Sequence, residues 1–435
     1  MGVLADSAIR IVNHFGKPDN TSTFVTLAAL FVLYLLYKWA VQPANRVKRL
    51  GDLGLYFDEK LKGKYRERQL ERLIKLRRVG DLPPIYPNGW YCIAESDQIK
   101  PGEIKEITVF GQLVSLVRSH SGKVFVMESY CPHLGANFNV GGKVVNDNCV
   151  QCPFHGWIFS AETGKCTTIP YDDHSIPEQA KVATWPAVEK NAHVYIWFHC
   201  DGEDPTWEVP EIPQINSGEW TFGGRTEHEI MCHCQEIPEN GADIAHLNYL
   251  HLSGPNDGHN ILKFELQNTK PMIQHCWTGS WEHGSGDMKH LGTMHLDQYL
   301  TFYGMQIPLT ASSLKADQHG PGIVIMNFDF GPLGRGVVLQ HVTPEEPLLQ
   351  RVRFKMFSTC PLWFCKFFLT SEALQFERDI YVWSNKKYIR NPLVVKNDGP
   401  ILKHRRWYSQ FYTENSPRML PNGEITNKPK SVNDW

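Results

Sequence analysis

The chain has almost no charge imbalance: 44 Lys and Arg stand against 46 Asp and Glu over 435 residues, a formal net charge of −2. That balance argues against nucleic acid as the main partner. No Gly-x-Gly-x-x-Gly segment stands in a strand–helix setting, so these residues show no dinucleotide-binding fingerprint. No internal repeat and no low-complexity tract is visible. The 11 Cys are an odd count in a long chain, which is not the even framework of a small disulfide-stapled secreted domain. The length leaves room for two or three domains with a substantial core.

One stretch lacks charge altogether. Asn20 through Tyr37 carries no Lys, Arg, Asp or Glu and includes Leu27, Leu30, Phe31, Val32, Leu33, Leu35 and Leu36. About twenty mainly apolar residues span the hydrocarbon core of a bilayer. Tyr34, Tyr37 and Trp39 cluster toward the Lys38 end, where an interfacial aromatic belt would lie. Residues 41–80 hold 12 Lys or Arg against 5 Asp or Glu, whereas residues 1–19 hold only Arg10 and Lys17, balanced by Asp6 and Asp19. The positive-inside rule then places the long C-terminal portion in the cytosol. A cleaved signal peptide would want a basic front end and a small-residue cleavage site, and Lys38-Trp39 is a poor one. The expectation is a retained single-span anchor.

What the chain does carry is two Cys/His pairs, Cys131-Pro132-His133 and Cys152-Pro153-Phe154-His155, with eighteen residues between them. Two thiolates and two imidazoles suit a [2Fe–2S] centre of the Rieske type, where two His replace two Cys on one iron and raise its reduction potential. A structural Cys₂His₂ zinc site uses the same ligand types. Its order is two Cys and then two His, and Pro132, Gly135, Pro153 and Gly156-Trp157 make turn-rich loops here, not a hairpin leading into a helix. Cys149-x-x-Cys152 offers another zinc-like pair but leaves Cys131 and His133 without a role. Iron-bound thiolates also favour a reducing compartment.

Asp58–Arg78 reads as an exposed basic helix, and Leu82-Pro83-Pro84 with Tyr86-Pro87-Asn88-Gly89 marks a linker. Short β-rich runs follow at Leu113–Arg118 and Val124–Ser129 around Ser119–Gly122, with Val194–Phe198 closing a small all-β domain. Beyond Asp201–Pro205, strands are expected at Tyr299–Gln306, Gly322–Phe328, Gly336–Thr343 and Val352–Ser358, then a helix at Ser371–Lys386. Strands in series followed by a helix indicate an α+β domain on an antiparallel sheet. The expected divisions are a short N-terminal segment (1–20), the anchor (21–40), a basic juxtamembrane linker (41–88), the β-domain (89–200), the α+β domain (201–415) and a tail (416–435).

The second dense patch of ligand chemistry is residues 239–251. Pro238 and Ser253-Gly254-Pro255 bracket a helix of about three turns. His246 and His251 are five apart, about 140° out of register on an ideal helix, so both reach one metal only if the helix is distorted or ends there. Two His and one carboxylate with open positions form the facial triad of non-haem Fe(II) oxygen enzymes. Asp379 is the favoured carboxylate. It borders the stripe Phe376, Ile380 and Trp383, where a buried acid needs a partner. Glu372 and Glu377 compete for the role, and an ion pair with Arg378 or Lys386 is the plainer alternative. Asp243 is placed to hydrogen-bond an imidazole, or to stabilise a helix N-terminus. Cys232, Cys234, Cys276, Cys360 and Cys365 read as buried small hydrophobes.

Taken together, Cys131-x-His133, Cys152-x-x-His155, Asp243-x-x-His246-x₄-His251 and Asp379-x-x-x-Trp383 resemble the Rieske oxygenases, over roughly residues 89–410. The eighteen-residue spacer is long for that pattern, and an anchor departs from the soluble bacterial members. With Gln235–Asp243 and Lys396-Asn397-Asp398-Gly399-Pro400, the chain resembles the animal sterol branch, the cholesterol 7-desaturases (Neverland in insects, with a nematode counterpart). The resemblance implies a helix-grip-like catalytic domain and a cluster on Cys131, His133, Cys152 and His155. It implies a mononuclear Fe(II) on His246, His251 and Asp379, with Asp243 bridging relay and iron. It further implies O₂ and NAD(P)H as co-substrates through a separate ferredoxin or flavin reductase, and conversion of cholesterol to 7-dehydrocholesterol. A homotrimer, contact with membrane lipid, no nucleic acid, and an endoplasmic-reticulum location facing the cytosol complete the expectation. Hydroxylation of a sterol or other lipid is the alternative.

Overall fold

Two apolar surfaces dominate the chain, one built by short strands before residue 200 and one by long strands after it. The computed structural model describes residues 20–55, 60–77, 79–254, 258–263, 272–308, 310–420 and 422–427. The expected N-terminal segment therefore lies outside the described residues apart from Asn20, as do Pro255 and residues 421 and 428–435 of the tail.

The first domain holds three small sheets. Gly89–Glu95, Ala187–Lys190 and His193–Phe198 form one, and Ile104–Val109, Gln112–Arg118, Val124–Glu128 and Thr184–Trp185 form another. Their shared core includes Tyr91, Ile93, Val114, Leu116, Val126 and Ile196. The third sheet, Lys143–Val145, Cys149–Gln151, Ile158–Ser160 and Cys166–Thr168, carries the two Cys/His loops at its end.

The second domain is a nine-stranded sheet, antiparallel from Thr221–Met231 through Leu349–Ser358, Arg335–Glu346, Ile323–Asp329, Ser312–His319 and Leu291–Phe302 to Ile273–His283. The helix Leu362–Asn385 packs on it, most closely against Thr221–Met231. The α+β expectation matches. Three details differ. The expected Tyr299–Gln306 strand is instead the end of Leu291–Phe302 and, after a turn at Tyr303-Gly304, a short strand Met305–Gln306 pairing back on it, and the helix begins nine residues before Ser371. The aromatic run Trp363-Phe364 and Phe367-Phe368 hides that start, because it has no polar face to give a 3.6-residue period. The strands Thr221–Met231, Ile273–His283 and Ser312–His319 were not expected, since charged and His residues interrupt their alternation.

Asn20–Val41 is one helix, and the window Phe24–Val41 has a mean hydropathy of 1.9 with none of it buried, which fits a membrane anchor. Lys64–Leu76 is the basic helix, with no buried residue; residues 58, 59 and 78 lie outside the described residues. The segment expected as a linker does more than connect. Ala44–Lys48 joins the large sheet as a parallel edge strand on Thr221–Met231. Ile85 and Tyr86 are fully buried in the first domain's core. Gly224 permits the parallel pairing, because a Cβ there would lie 2.8 Å from the Ala44 nitrogen and 2.9 Å from Leu369 Cδ1. The tail also returns, with Met419 and Ile425 packing on the first domain.

A polar seam joins the domains. Glu95 pairs with Lys355 at 2.7 Å and Arg225 at 2.8 Å, and Thr343 donates to the Cys92 carbonyl at 2.6 Å. Beside it Glu227 meets Arg225 and Arg351 at 2.7 Å, Arg49 at 2.8 Å and Arg353 at 3.4 Å. Burial would raise the Glu227 carboxyl, but Arg353, Arg351 and Arg225 outweigh it and hold it at about 2. A depressed carboxylate contributes stability that is complete above its unfolded value near 4.5 and is lost as pH falls toward 2. Glu227→Gln should therefore cost on the order of 2 kcal/mol at pH 7, and the gap from the unaltered chain should close below pH 4. Thermal melts of the solubilised chain across that range check this; a gap that stays constant to pH 2 contradicts it.

Candidate functional site

The two Cys/His loops are near copies of each other. In the first, the Cys131 N–H donates to the Ala136 carbonyl at 2.9 Å and the Gly135 N–H to the Cys131 carbonyl at 2.9 Å. In the second, Cys152 donates to Trp157 at 2.7 Å and Gly156 to Cys152 at 3.1 Å. Gly135 and Gly156 have φ of 72° and 75°, a left-handed turn that glycine adopts at no steric cost. Both thiols are buried, and the His133 and His155 rings stand 4.7 Å apart, centre to centre. Trp157 stacks on His133 at 4.6 Å and donates to the Tyr171 hydroxyl at 2.8 Å.

This donor set fits a two-iron cluster. Burial pushes the Cys131 thiol up to about 12, a cost that a bound cation would reverse, and His155 Nδ1 is buried with no hydrogen-bond partner. Among the described residues, the quartet is not one of the sets whose ligand atoms all lie within 4.8 Å of one another, as a single tetrahedral zinc would require. Leu134 and Phe154, over 60% exposed, rim the loops.

The expected three-turn helix is broken. Glu236–Glu239 is helical, Asn240–Ala242 is a tight 3₁₀ turn, and a new helix runs Ile244–Leu250. Asp243 makes the break. It sits at φ −102°, ψ 78°, and its carboxylate accepts the His246 N–H at 3.3 Å as an N-cap. His251 follows the last helical turn, at φ −107°, ψ 6°. The helix therefore ends where the five-residue spacing needs it to, and the His246 and His251 rings lie 5.2 Å apart. His246 Nδ1 donates to the Asp243 carbonyl, which makes Nε2 the acceptor nitrogen, met by Asn240 Nδ2 at 3.4 Å.

Asp379 completes the set. Its Oδ1 lies 3.2 Å from His251 Nε2 and 3.9 Å from His246 Nε2, and ligand atoms of the three converge within 4.8 Å. His251 Nδ1 is buried without a partner. Two imidazoles and one carboxylate fit a facial-triad metal.

Neither competitor for the carboxylate role converges with the two histidines as Asp379 does. Glu377 pairs with Arg46 at 2.6 Å and His228 at 3.1 Å. Glu372 lines the cavity wall, where burial pushes its carboxyl up to about 7. Arg378 does not pair with Asp379. It donates to the carbonyls of Leu250 at 3.1 Å, Gly254 at 2.5 Å and Gly258 at 2.8 Å. Sequence reasoning missed that clamp, for which the chain carries no local signal. Cys276, expected as buried, is half-buried, because it lies on the outermost long strand.

The triad opens into a cavity of about 1520 Å³ of space between atoms, its mouth included. Trp277, Met294, Leu314, Phe328, Phe354 and Phe368 line much of it, interspersed with polar side chains that include Gln298, Ser312, Gln318 and Gln340. Cys92, His193 and His341 also converge within 4.8 Å. They sit in the interdomain core away from this cavity, with Tyr195 bonded to His341 at 3.0 Å and both Arg353 and Lys355 opposing a further cation.

Residues 89–186 match the Rieske [2Fe-2S] domain model and residues 196–412 the 3-ketosteroid 9alpha-hydroxylase C-terminal domain model. The chain is 62% identical over 94% of its length, and 96% of the relative's, to cholesterol 7-desaturase of Caenorhabditis elegans. The chain belongs to the cholesterol 7-desaturase family. A Xenopus laevis cholesterol 7-desaturase is 44% identical over 92% of this chain and 87% of its own. The fold also matches dicamba monooxygenase bound to dicamba (TM-score 0.52, 17% identity, 75% of this chain and 97% of that one). Pseudomonas putida NdmA with caffeine matches likewise (TM-score 0.55, 15% identity, 73% and 89%).

In this cholesterol 7-desaturase fold the Arg378 clamp holds the segment just beyond His251. Arg378→Met strips three carbonyls, one of them buried, of their donor and should cost about 3 kcal/mol. Mononuclear iron should drop several-fold while the visible spectrum of the first site persists. Iron quantitation beside absorption spectra tests this, and unchanged iron content would refute the clamp's role.

Proposed function

We propose that the chain is a membrane-anchored desaturase that introduces the 7,8 double bond of cholesterol to give 7-dehydrocholesterol, in steroid hormone biosynthesis. The observation that carries the reading is the convergence of His246, His251 and Asp379 at an apolar cavity in a chain that also bears the Cys131/His133/Cys152/His155 quartet. The quartet would hold the [2Fe–2S] cluster and the triad a mononuclear Fe(II); bound, these groups supply one-electron relay and O₂-dependent hydrogen abstraction. A separate reductase component delivers the electrons drawn from NAD(P)H.

The chain's own residues set the conditions. The Asp243 carbonyl fixes the His246 tautomer, and Asp379 orients His251. The apolar lining excludes water and suits a fused-ring hydrocarbon with a single hydroxyl. Asp243 is further assigned as the bridge by which the cluster of a neighbouring copy reaches this iron site, in a homotrimer whose anchors lie in the endoplasmic-reticulum membrane with the catalytic parts in the cytosol. A half-exposed carboxylate beside His246 supports that role.

A second reading, hydroxylation of a sterol or other lipid, is favoured by one observation: the family model matching residues 196–412 is described as that of a ketosteroid hydroxylase. Product mass separates the two. Reconstituted with reductase, cholesterol should lose two hydrogens; gain of one oxygen would instead establish the hydroxylase. His246→Ala should keep the cluster's visible and EPR spectra and abolish turnover, and surviving activity would remove His246 from the iron site. Asn caps a helix as well as Asp does, so Asp243→Asn should leave stability intact while lowering kcat more than about tenfold. An unchanged kcat would reduce Asp243 to a helix cap.

A further inference from the structure

Only Gln42 and Pro43 separate the end of the apolar helix at Val41 from Ala44, the first residue of the edge strand. Two residues reach about 7 Å at most. Ala44 is buried and paired with Gly224, so that strand cannot peel away to lengthen the tether. A helix that crosses a bilayer therefore holds this edge of the catalytic sheet at the membrane surface.

The start of the helix Leu362–Asn385 lies at the same place. Lys366 Nζ donates to the Trp39 carbonyl at 3.0 Å and stands 5.1 Å from its ring centre. Trp363 and Phe367, four residues apart on one helix face, are 47% and 56% exposed. Exposed aromatics beside a bilayer surface belong at headgroup level. The residues after them turn inward. Phe364 and Phe368 pack on Phe330 at 5.0 and 5.3 Å, and Phe330 and Phe368 line the cavity together with Asp329 and Ser313, which are exposed. The cavity thus runs from the His246–His251–Asp379 set to Phe330 and Phe368, the latter two residues along the helix from the Lys366 that meets Trp39.

We propose that the Trp363–Phe367 face rests in the lipid interface and that substrate enters the cavity directly from the bilayer, past Phe330 and Phe368. This rests on the reading of the substrate as a membrane-dissolved sterol. The entry path spares an apolar molecule any passage through water.

The test uses the full chain with its reductase, once in phosphatidylcholine vesicles carrying cholesterol and once in detergent with cholesterol delivered from cyclodextrin. The double variant Trp363→Ser, Phe367→Ser should lose kcat/KM at least about fivefold in vesicles and stay within about twofold in detergent. Leu393→Ser, which removes an almost fully exposed apolar side chain elsewhere, should change neither. Equal rates for the double variant and the unaltered chain in vesicles overturn the proposal, as does an equal loss in both formats. A shift in oligomeric state of the double variant by light scattering would assign the face to a second copy and overturn it too. A readout independent of turnover is the tryptophan emission lost in Trp363→Phe, which should be quenched by brominated phosphatidylcholine. If that emission is unquenched, Trp363 lies in water and the proposal fails. Absence of cholesterol turnover in both formats, with quenching intact, sinks the substrate reading instead.

Discussion

Three consecutive charged residues, Glu377, Arg378 and Asp379, are buried in the middle of one helix, and the architecture depends on all three being satisfied. Successive helical positions point about 100° apart, so each side chain leaves in a different direction. Glu377 reaches the edge strand through Arg46, Arg378 reaches carbonyls on either side of His251, and Asp379 reaches the two histidines. An unpaired buried charge is far more expensive than a paired one. The helix can dock only when the edge strand Ala44–Lys48, the histidine segment and the sheet are all in place. Anchor and active site are therefore coupled through a single turn of helix.

The first candidate set could be picked out in the sequence, because its four residues lie on two short loops whose proline and glycine positions declare the turns. The second was legible in part. The five-residue spacing of His246 and His251 demanded a helix end, and the side chain of Asp243 supplies the break just upstream. Asp379 could be singled out because an acid beside Phe376, Ile380 and Trp383 has to find a partner. The clamp made by Arg378 was not readable, since its acceptors are main-chain carbonyls that no residue type announces. Nor was the strand Ala44–Lys48, whose sequence is basic and short and forms only because Gly224 lets a second backbone come close. Long-range pairing of that kind leaves no trace in local periodicity.

The interdomain seam follows the same logic on a larger scale. Glu95 and Glu227 sit among Arg225, Arg351, Arg353 and Lys355, so the junction is held by charge where the two cores on either side are apolar. Such a seam is directional. It fixes the orientation of the cluster-bearing loops relative to the cavity more strictly than an oily contact of equal area, because each ion pair tolerates little sliding.

The two-residue connection between Val41 and Ala44 has a bearing on symmetry. With so little slack, a sheet hung from a helix that spans a bilayer could not tumble relative to it, and every copy would present the same pole to the lipid. A closed ring of such copies can then have only a rotation axis perpendicular to the membrane plane; dihedral arrangements, which would point half the anchors away from the lipid, are geometrically barred.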